Sequence, residues 1–185
     1  MFKAFCKLYF HYTGWGVHGR YPDEIDKLIV IVGSHTSNWD FIVGVGIRTI
    51  LKVDVKFLGK KELFRFPFKS LFLSLGGYPV DRSASHNTVD KVVEIFEGKK
   101  RFAIAMSPEG TRKKVDRLKS GFYHIAKKAN IPIVMVGLDY GKKMVEFSDP
   151  FHTTDDQPGD FRKIVDFFKR MKGKYPDNGI YDQYT

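Results

Sequence analysis

Leu28-Ile29-Val30-Ile31-Val32-Gly33-Ser34-His35-Thr36-Ser37-Asn38-Trp39-Asp40 begins with five aliphatic residues and ends in polar ones. An aliphatic run of this length, stopped by Gly33, reads as a strand buried on both faces. Residues 41–51 read as a helix, and residues 53–58 as a second strand that ends at Gly59. A strand, a helix and another strand in close succession form the unit from which parallel sheets are built.

The alternation extends in both directions. Downstream, residues 61–75 look helical with an interruption at Pro67, and 78–80 form a short strand. Residues 88–97 form an amphipathic helix, with Val89, Val92, Val93 and Phe96 on one face. A third aliphatic strand covers 102–106, stopped by Pro108; a helix follows at 119–129 and a buried strand at 131–138. Residues 144–147 read as an edge strand and 161–171 as a closing helix. The expected fold class is α/β: a single-domain sandwich whose largely parallel mixed sheet is flanked by helices. Sheets of this kind carry their sites at the carboxyl ends of the strands.

Upstream, residues 2–12 form a short amphipathic helix, broken by Gly14 and Gly16. Lys3, Lys7 and His11 make a polar ridge at spacing four, while Phe2, Phe5, Cys6, Tyr9 and Phe10 share another face. Such a helix either packs on the core or lies in a lipid headgroup region with its lysines snorkelling. Residues 1–20 are expected to form a membrane-associating segment, and 21–185 the main domain.

The chain has 185 residues, 43% hydrophobic and 28% charged, which excludes disordered, collagenous and disulfide-stapled classes. Its net charge of +10 and isoelectric point near 9.6 point to anionic partners: nucleic acid, anionic lipid or phosphorylated ligands. The single cysteine, Cys6, permits neither an internal disulfide nor a cysteine-based zinc site. There is no stretch of ~20 apolar residues, so no spanning helix is expected. No signal peptide is expected either, since Lys7 interrupts the first apolar run.

Three groups of residues carry chemistry. His35 and Asp40 follow the first strand; histidine moves protons near neutral pH, and a carboxylate on its second nitrogen would fix the tautomer. On one straight helix a spacing of five sets two side chains ~140° apart. The pair can meet if His35 sits in the loop and Asp40 in the first helical turn, with Ser37 or Asn38 capping. The alternative is a surface histidine and a helix N-terminal charge. Gly76-Gly77-Tyr78-Pro79-Val80-Asp81-Arg82 makes a turn and strand ending in an Asp–Arg pair, whose guanidinium suits phosphate or a structural partner. Ser107-Pro108-Glu109-Gly110-Thr111-Arg112-Lys113-Lys114 is a strand-end turn. Gly110 allows positive φ, Thr111 offers a hydroxyl and Arg112 a bidentate clamp; the alternative is a solvated basic loop. Glu109 fits an anion site only if it pairs with a base or orients the loop. The aliphatic run from Ile131 to Val136 reads as a buried strand without chemistry.

These segments resemble, in order, the four sequence blocks of the glycerolipid acyltransferases of the lysophosphatidic acid (PlsC) type. His35 to Asp40 is similar to the H-x4-D block, and Tyr78 to Arg82 to the second block. Pro108-Glu109-Gly110-Thr111-Arg112 matches P-E-G-T-R residue for residue, and Ile131 to Val136 is similar to the fourth block. Together they span residues 35–136. Ser34 stands where the family usually has Asn, and Ser107 where it commonly has Phe.

The resemblance implies a glycerol-3-phosphate acyltransferase-like fold over 21–185. It implies transfer of a fatty acyl group from acyl-CoA or acyl carrier protein to a lysophospholipid hydroxyl, without cofactor or metal. By the same resemblance His35 is the general base and Asp40 its orienting carboxylate. Glu109, Gly110, Thr111 and Arg112 hold the acceptor's polar head with Arg82 assisting, and Lys61 matches a basic position between the first two blocks. No G-x-S-x-G elbow is present, so no covalent acyl-enzyme is expected. Residues 61–69 mix bases with phenylalanines, as an interfacial surface does; the alternative is a core helix with a solvated basic edge. Peripheral, monotopic binding to anionic lipids on the cytoplasmic face of a membrane is expected, without nucleic acid. The rival classes are a non-catalytic basic lipid- or nucleic-acid-binding module and an acyl thioesterase.

Overall fold

A computed structural model describes residues 2–80 and 88–180. Seven strands form one sheet: β1 (Gly16–His18), β2 (Lys27–Gly33), β3 (Val55–Lys60), β4 (Gly77–Val80), β5 (Phe102–Met106), β6 (Ile133–Asp139) and β7 (Met144–Phe147). Their order is β1-β7-β6-β2-β5-β3-β4. The five strands from β6 to β4 are mutually parallel, while β7 runs antiparallel to β6 and β1 parallel to β7. The carboxyl ends of β2, β3, β4, β5 and β6 therefore lie along one edge. The expected α/β class with a largely parallel mixed sheet is what the chain adopts.

The helices are α1 (Phe2–Thr13), α2 (Trp39–Leu51), α3 (Lys69–Ser74), α4 (Thr88–Glu97), α5 (Gly121–Ala129) and α6 (Gln157–Phe168). Side chains alternate across β2 and β6 and so feed two cores. Ile29, Ile31, Ile133 and Met135 pack with Phe96 of α4, Phe122 of α5 and Phe168 of α6. Leu28, Val30, Val134 and Val136 pack with Val43 and Ile47 of α2 and Phe10 of α1. Helix α1 lies close on α2 because Gly46 has no side chain: a Cβ there would stand 2.6 Å from the Phe10 ring. Residues 2–20 are thus joined to the domain, through Cys6 and Phe10 on α2 and through β1 in the sheet.

Four elements differ from the sequence reading. Residues 144–147 are not an edge strand: β7 is paired on both sides, and the edge is β1, too short to show a period. Residues 61–75 are two pieces, a 3-10 turn at Lys61–Phe64 and α3, because Pro67 lacks the N–H a continuous helix would need. Helix α5 starts at Gly121; Lys119 instead donates its N–H to the Pro108 carbonyl at 2.7 Å and closes the preceding loop. Helix α6 starts four residues early, since Asp156 accepts the Gly159 N–H at 3.0 Å and Pro158 suits the first turn.

Candidate active site

The chain leaves β2 at Gly33, and the polar loop 34–38 turns it into α2. Ser37 Oγ accepts the Trp39 N–H at 3.2 Å, and Asp40 Oδ2 accepts the Ser37 N–H at 2.8 Å. Asn38 occupies the cap position without a side-chain bond. A carboxylate in the first turn is favoured by the helix dipole. Folding back towards its own loop, Asp40 meets His35: Nδ1 stands 3.1 Å from Oδ2. The Asp40 side chain is 1% exposed and that of His35 25%, so the carboxylate is inside and the imidazole faces out. The other carboxylate oxygen, Oδ1, accepts the hydroxyl of Tyr140 at 2.7 Å.

The loop after β5 supports the same histidine from beneath. Glu109 is buried; its Oε1 accepts the His35 N–H at 2.8 Å and its Oε2 the Ser107 hydroxyl at 2.8 Å. Burial pushes the Glu109 carboxyl up from its ordinary range, against these two hydrogen bonds, which favour the ionised form. Both oxygens are engaged inside the protein, so Glu109 ties the first block to the third. Gly110 sits at φ +67, the left-handed conformation the turn requires, and a side chain there would meet Lys119. Ser34 is buried, and its hydroxyl has no hydrogen-bond partner among the described residues.

Two effects follow for Glu109. Glu109→Ala leaves the His35 N–H without its acceptor and should cost about 1–3 kcal/mol of stability, read by denaturant unfolding. Because the folded protein holds the Glu109 proton more tightly than the unfolded chain, this group's stabilisation is full below its ordinary value of 4.5 and falls as pH rises through the folded-state value. Glu109→Gln cannot ionise, so its unfolding temperature should gain on the wild type as pH rises from 4.5 through the folded-state value, and the difference should level off above it. Parallel profiles would contradict this.

A cleft of about 720 Å³ runs from this loop edge under α2 along the sheet. Its polar end is formed by His35, Asp40, Ser107, Gly110, Thr111 and Arg112. Most of the remaining lining is apolar, with Val45, Leu51, Val53, Leu138 and Phe147 among the residues. Gly44 lines it too, and a Cβ on Gly44 would touch nothing within 4 Å, so the helix gives the cleft its width there. The size is that of an ordinary ligand pocket.

His35, Asp40, Gly110, Thr111 and Arg112 therefore come together on one cleft, with Glu109 beneath them. Lys61 is exposed at the carboxyl end of β3, outside the lining of the cleft. Arg82, with Asp81, lies outside the described residues. Cys6 is buried between α1 and α2 and does not line the cleft. No group of three or more potential metal ligands occurs among the described residues. Sequence reasoning missed two residues. Lys119 lines the polar end opposite Gly110, because its loop folds back on Pro108. Tyr140 follows β6, and the pairing of Gly33 with Gly137 sets its loop level with that of His35.

The chain is similar to known proteins. The family profile described as Acyltransferase covers residues 17–139. The chain is 34% identical over 132 residues to a 1-acyl-sn-glycerol-3-phosphate acyltransferase of Salmonella typhimurium, covering 66% of this chain and 52% of that protein. To the enzyme of the same name from Escherichia coli it is 33% identical over 132 residues, with the same coverage. The chain thus spans about half the length of these relatives. The crystal structure of the 1-acyl-sn-glycerophosphate acyltransferase PlsC from Thermotoga maritima has the same fold, with a TM-score of 0.59 at 18% identity, over 91% of this chain and 76% of that one. The profile spans the strands and loops that carry the site, and the chain belongs to the acyltransferase family.

Proposed function

We propose that this chain moves a fatty acyl group from acyl-CoA or acyl carrier protein to the hydroxyl of a lysophosphatidic acid-like lipid, working peripherally on the cytoplasmic face of a membrane and needing no cofactor. The observation that carries the reading is the His35–Asp40 pair at the polar mouth of an apolar cleft. With Nδ1 turned to Asp40, Nε2 is free to take the proton of the acceptor hydroxyl. The alkoxide oxygen then attacks the thioester carbonyl carbon. Collapse of the tetrahedral intermediate breaks the carbon–sulfur bond, and the thiolate leaves with the proton from the imidazolium. The acyl chain lies in the apolar part of the cleft, and the acceptor's phosphate lies against Thr111, Arg112 and Lys119.

Exposed apolar side chains support a lipid surface. Among the described residues no helix is long and apolar enough to cross a membrane. Phe2, Phe5, Leu8 and Tyr12 nevertheless face out from α1, Trp39, Phe41 and Ile42 from α2, and Phe66, Phe68 and Leu71 from the segment around α3. Phe41 is both exposed and part of the cleft lining, so the cleft opens beside this apolar surface. Bases accompany it at Lys3, Lys7, Arg65 and Lys69. Singly exposed apolar residues are ordinary; the reading rests on their number on these three elements together with the neighbouring bases.

The test is product analysis with a labelled acyl thioester and lysophosphatidic acid in mixed vesicles. An acylated lipid together with free thiol is expected. Free fatty acid alone would make the protein a thioesterase, and no turnover with intact vesicle binding would make it a binding module. Arg112→Ala should raise the acceptor KM about tenfold, the lower end for a hydrogen bond to a charged group at an exposed site. An effect confined to the donor KM would move Arg112 to the thioester side.

A further inference from the structure

We propose that Tyr140 is a positioning residue for the reaction: its hydroxyl holds the second oxygen of Asp40, so that the His35–Asp40 pair is a three-residue relay of fixed geometry. This rests on the reading of His35 as the base and deepens it.

A carboxylate turns easily about its last bond, which has a broad, two-fold profile. In Asp40 both oxygens are held, Oδ2 by the Ser37 N–H at 2.8 Å and Oδ1 by the Tyr140 hydroxyl at 2.7 Å. Oδ2 is also the atom that faces His35 Nδ1. If the Tyr140 hydroxyl is removed, Oδ1 loses its donor and only Oδ2 stays held, so the carboxylate gains freedom to swing, in a place where its side chain is 1% exposed and water is scarce. The donor itself is well seated. The Tyr140 N–H donates to the Lys172 carbonyl at 2.8 Å, and its ring stands edge-to-face on Trp15 at 5.0 Å and 87°. Burial, then the adjacent Asp40, push the phenol far above its ordinary range, so it remains a donor at any working pH.

The hydroxyl also draws charge from the carboxylate. Without it, both the position and the charge of the carboxylate facing His35 change. The other titratable and charged groups around the relay are Glu109 beneath His35, Arg112 and Lys119 along the cleft, Lys174 near the Tyr140 ring, and Tyr9 of α1. Tyr140→Phe changes none of them and keeps the ring on Trp15.

The test is an NMR titration of the His35 imidazole in wild type and Tyr140→Phe, beside kcat and acceptor KM for both. The imidazole titration is expected to differ between the variant and the wild type, with kcat down about tenfold, the worth of one hydrogen bond to a charged group, and KM unchanged. An unmoved titration overturns the proposal, whatever the activity does. The titration needs no turnover, so it separates this proposal from the assignment of the reaction. A second arm compares the loss caused by Tyr140→Phe in the wild type and in Asp40→Asn. If the hydroxyl acts through Asp40, its removal costs little more once Asp40 is amidated; an equal loss in both backgrounds overturns the proposal. Trp15→Phe, which alters only the seat of the ring, should leave the titration in place. A shift as large as that of Tyr140→Phe would assign the effect to packing and overturn it as well.

Discussion

His35→Ala is expected to lower acyl transfer by about 10²–10⁴, the usual scale for a lost acid–base group. The reason is local. His35 is the imidazole that lines the cleft, and the described cleft offers no nearby thiol, since Cys6 is buried away from it. The acceptor hydroxyl would then have to reach the thioester carbonyl without a base to take its proton. Release of free thiol in the presence of a lysophosphatidic acid acceptor measures the loss. On the proposed function, acceptor and donor KM should change little, because the apolar cleft and the basic residues at its mouth are left intact. The variant should stay folded. Glu109 accepts its hydrogen bond from the backbone N–H of residue 35, which alanine retains. Turnover within a factor of a few of wild type would remove the chemical assignment altogether.

The double change Phe66→Ser and Phe68→Ser should weaken binding to lipid vesicles by about 10²–10³. Phe66 is 95% exposed and Phe68 58%. Moving a phenylalanine from water into an apolar phase is worth about 1.5–3 kcal/mol. Two such losses, discounted because the rings lie shallow, amount to about 3–4 kcal/mol, and each 1.4 kcal/mol is tenfold. Neighbouring Arg65 and Lys69 add roughly 1 kcal/mol each on an anionic surface. Salt should therefore weaken that part and leave the apolar part in place. Co-sedimentation with neutral and with anionic vesicles separates the two terms. Since neither ring is part of the cleft lining, turnover of a short-chain, water-soluble acceptor should be retained. Unchanged sedimentation of the double variant would dissociate this surface from lipid.

Helix α1 shows how the same physics divides one element between two roles. Its sequence carries apolar residues around most of its circumference, which left core packing and interfacial binding equally open. The fold assigns Cys6 and Phe10 to α2 and leaves Phe2, Phe5, Leu8 and Tyr12 outside. Close contact with α2 depends on Gly46, whose missing side chain admits the Phe10 ring. Periodicity alone cannot identify such a contact, because it depends on which helix lies opposite.

By itself the sequence determined the strand–helix alternation, the buried aliphatic strands at the centre of the sheet, and the loop that carries His35 and Asp40. Those are local properties: runs of aliphatic residues, turn residues at their ends, and a histidine and a carboxylate separated by one polar turn. Tertiary structure alone decided which distant groups complete that loop. Glu109 reaches the His35 N–H across 74 positions and Tyr140 reaches Asp40 across 100. Those distances in sequence close only because β2 pairs with β5 on one side and β6 on the other, bringing three strand ends to one level. Register between parallel strands is set by packing of both sheet faces against helices, and no short stretch of residues contains that information.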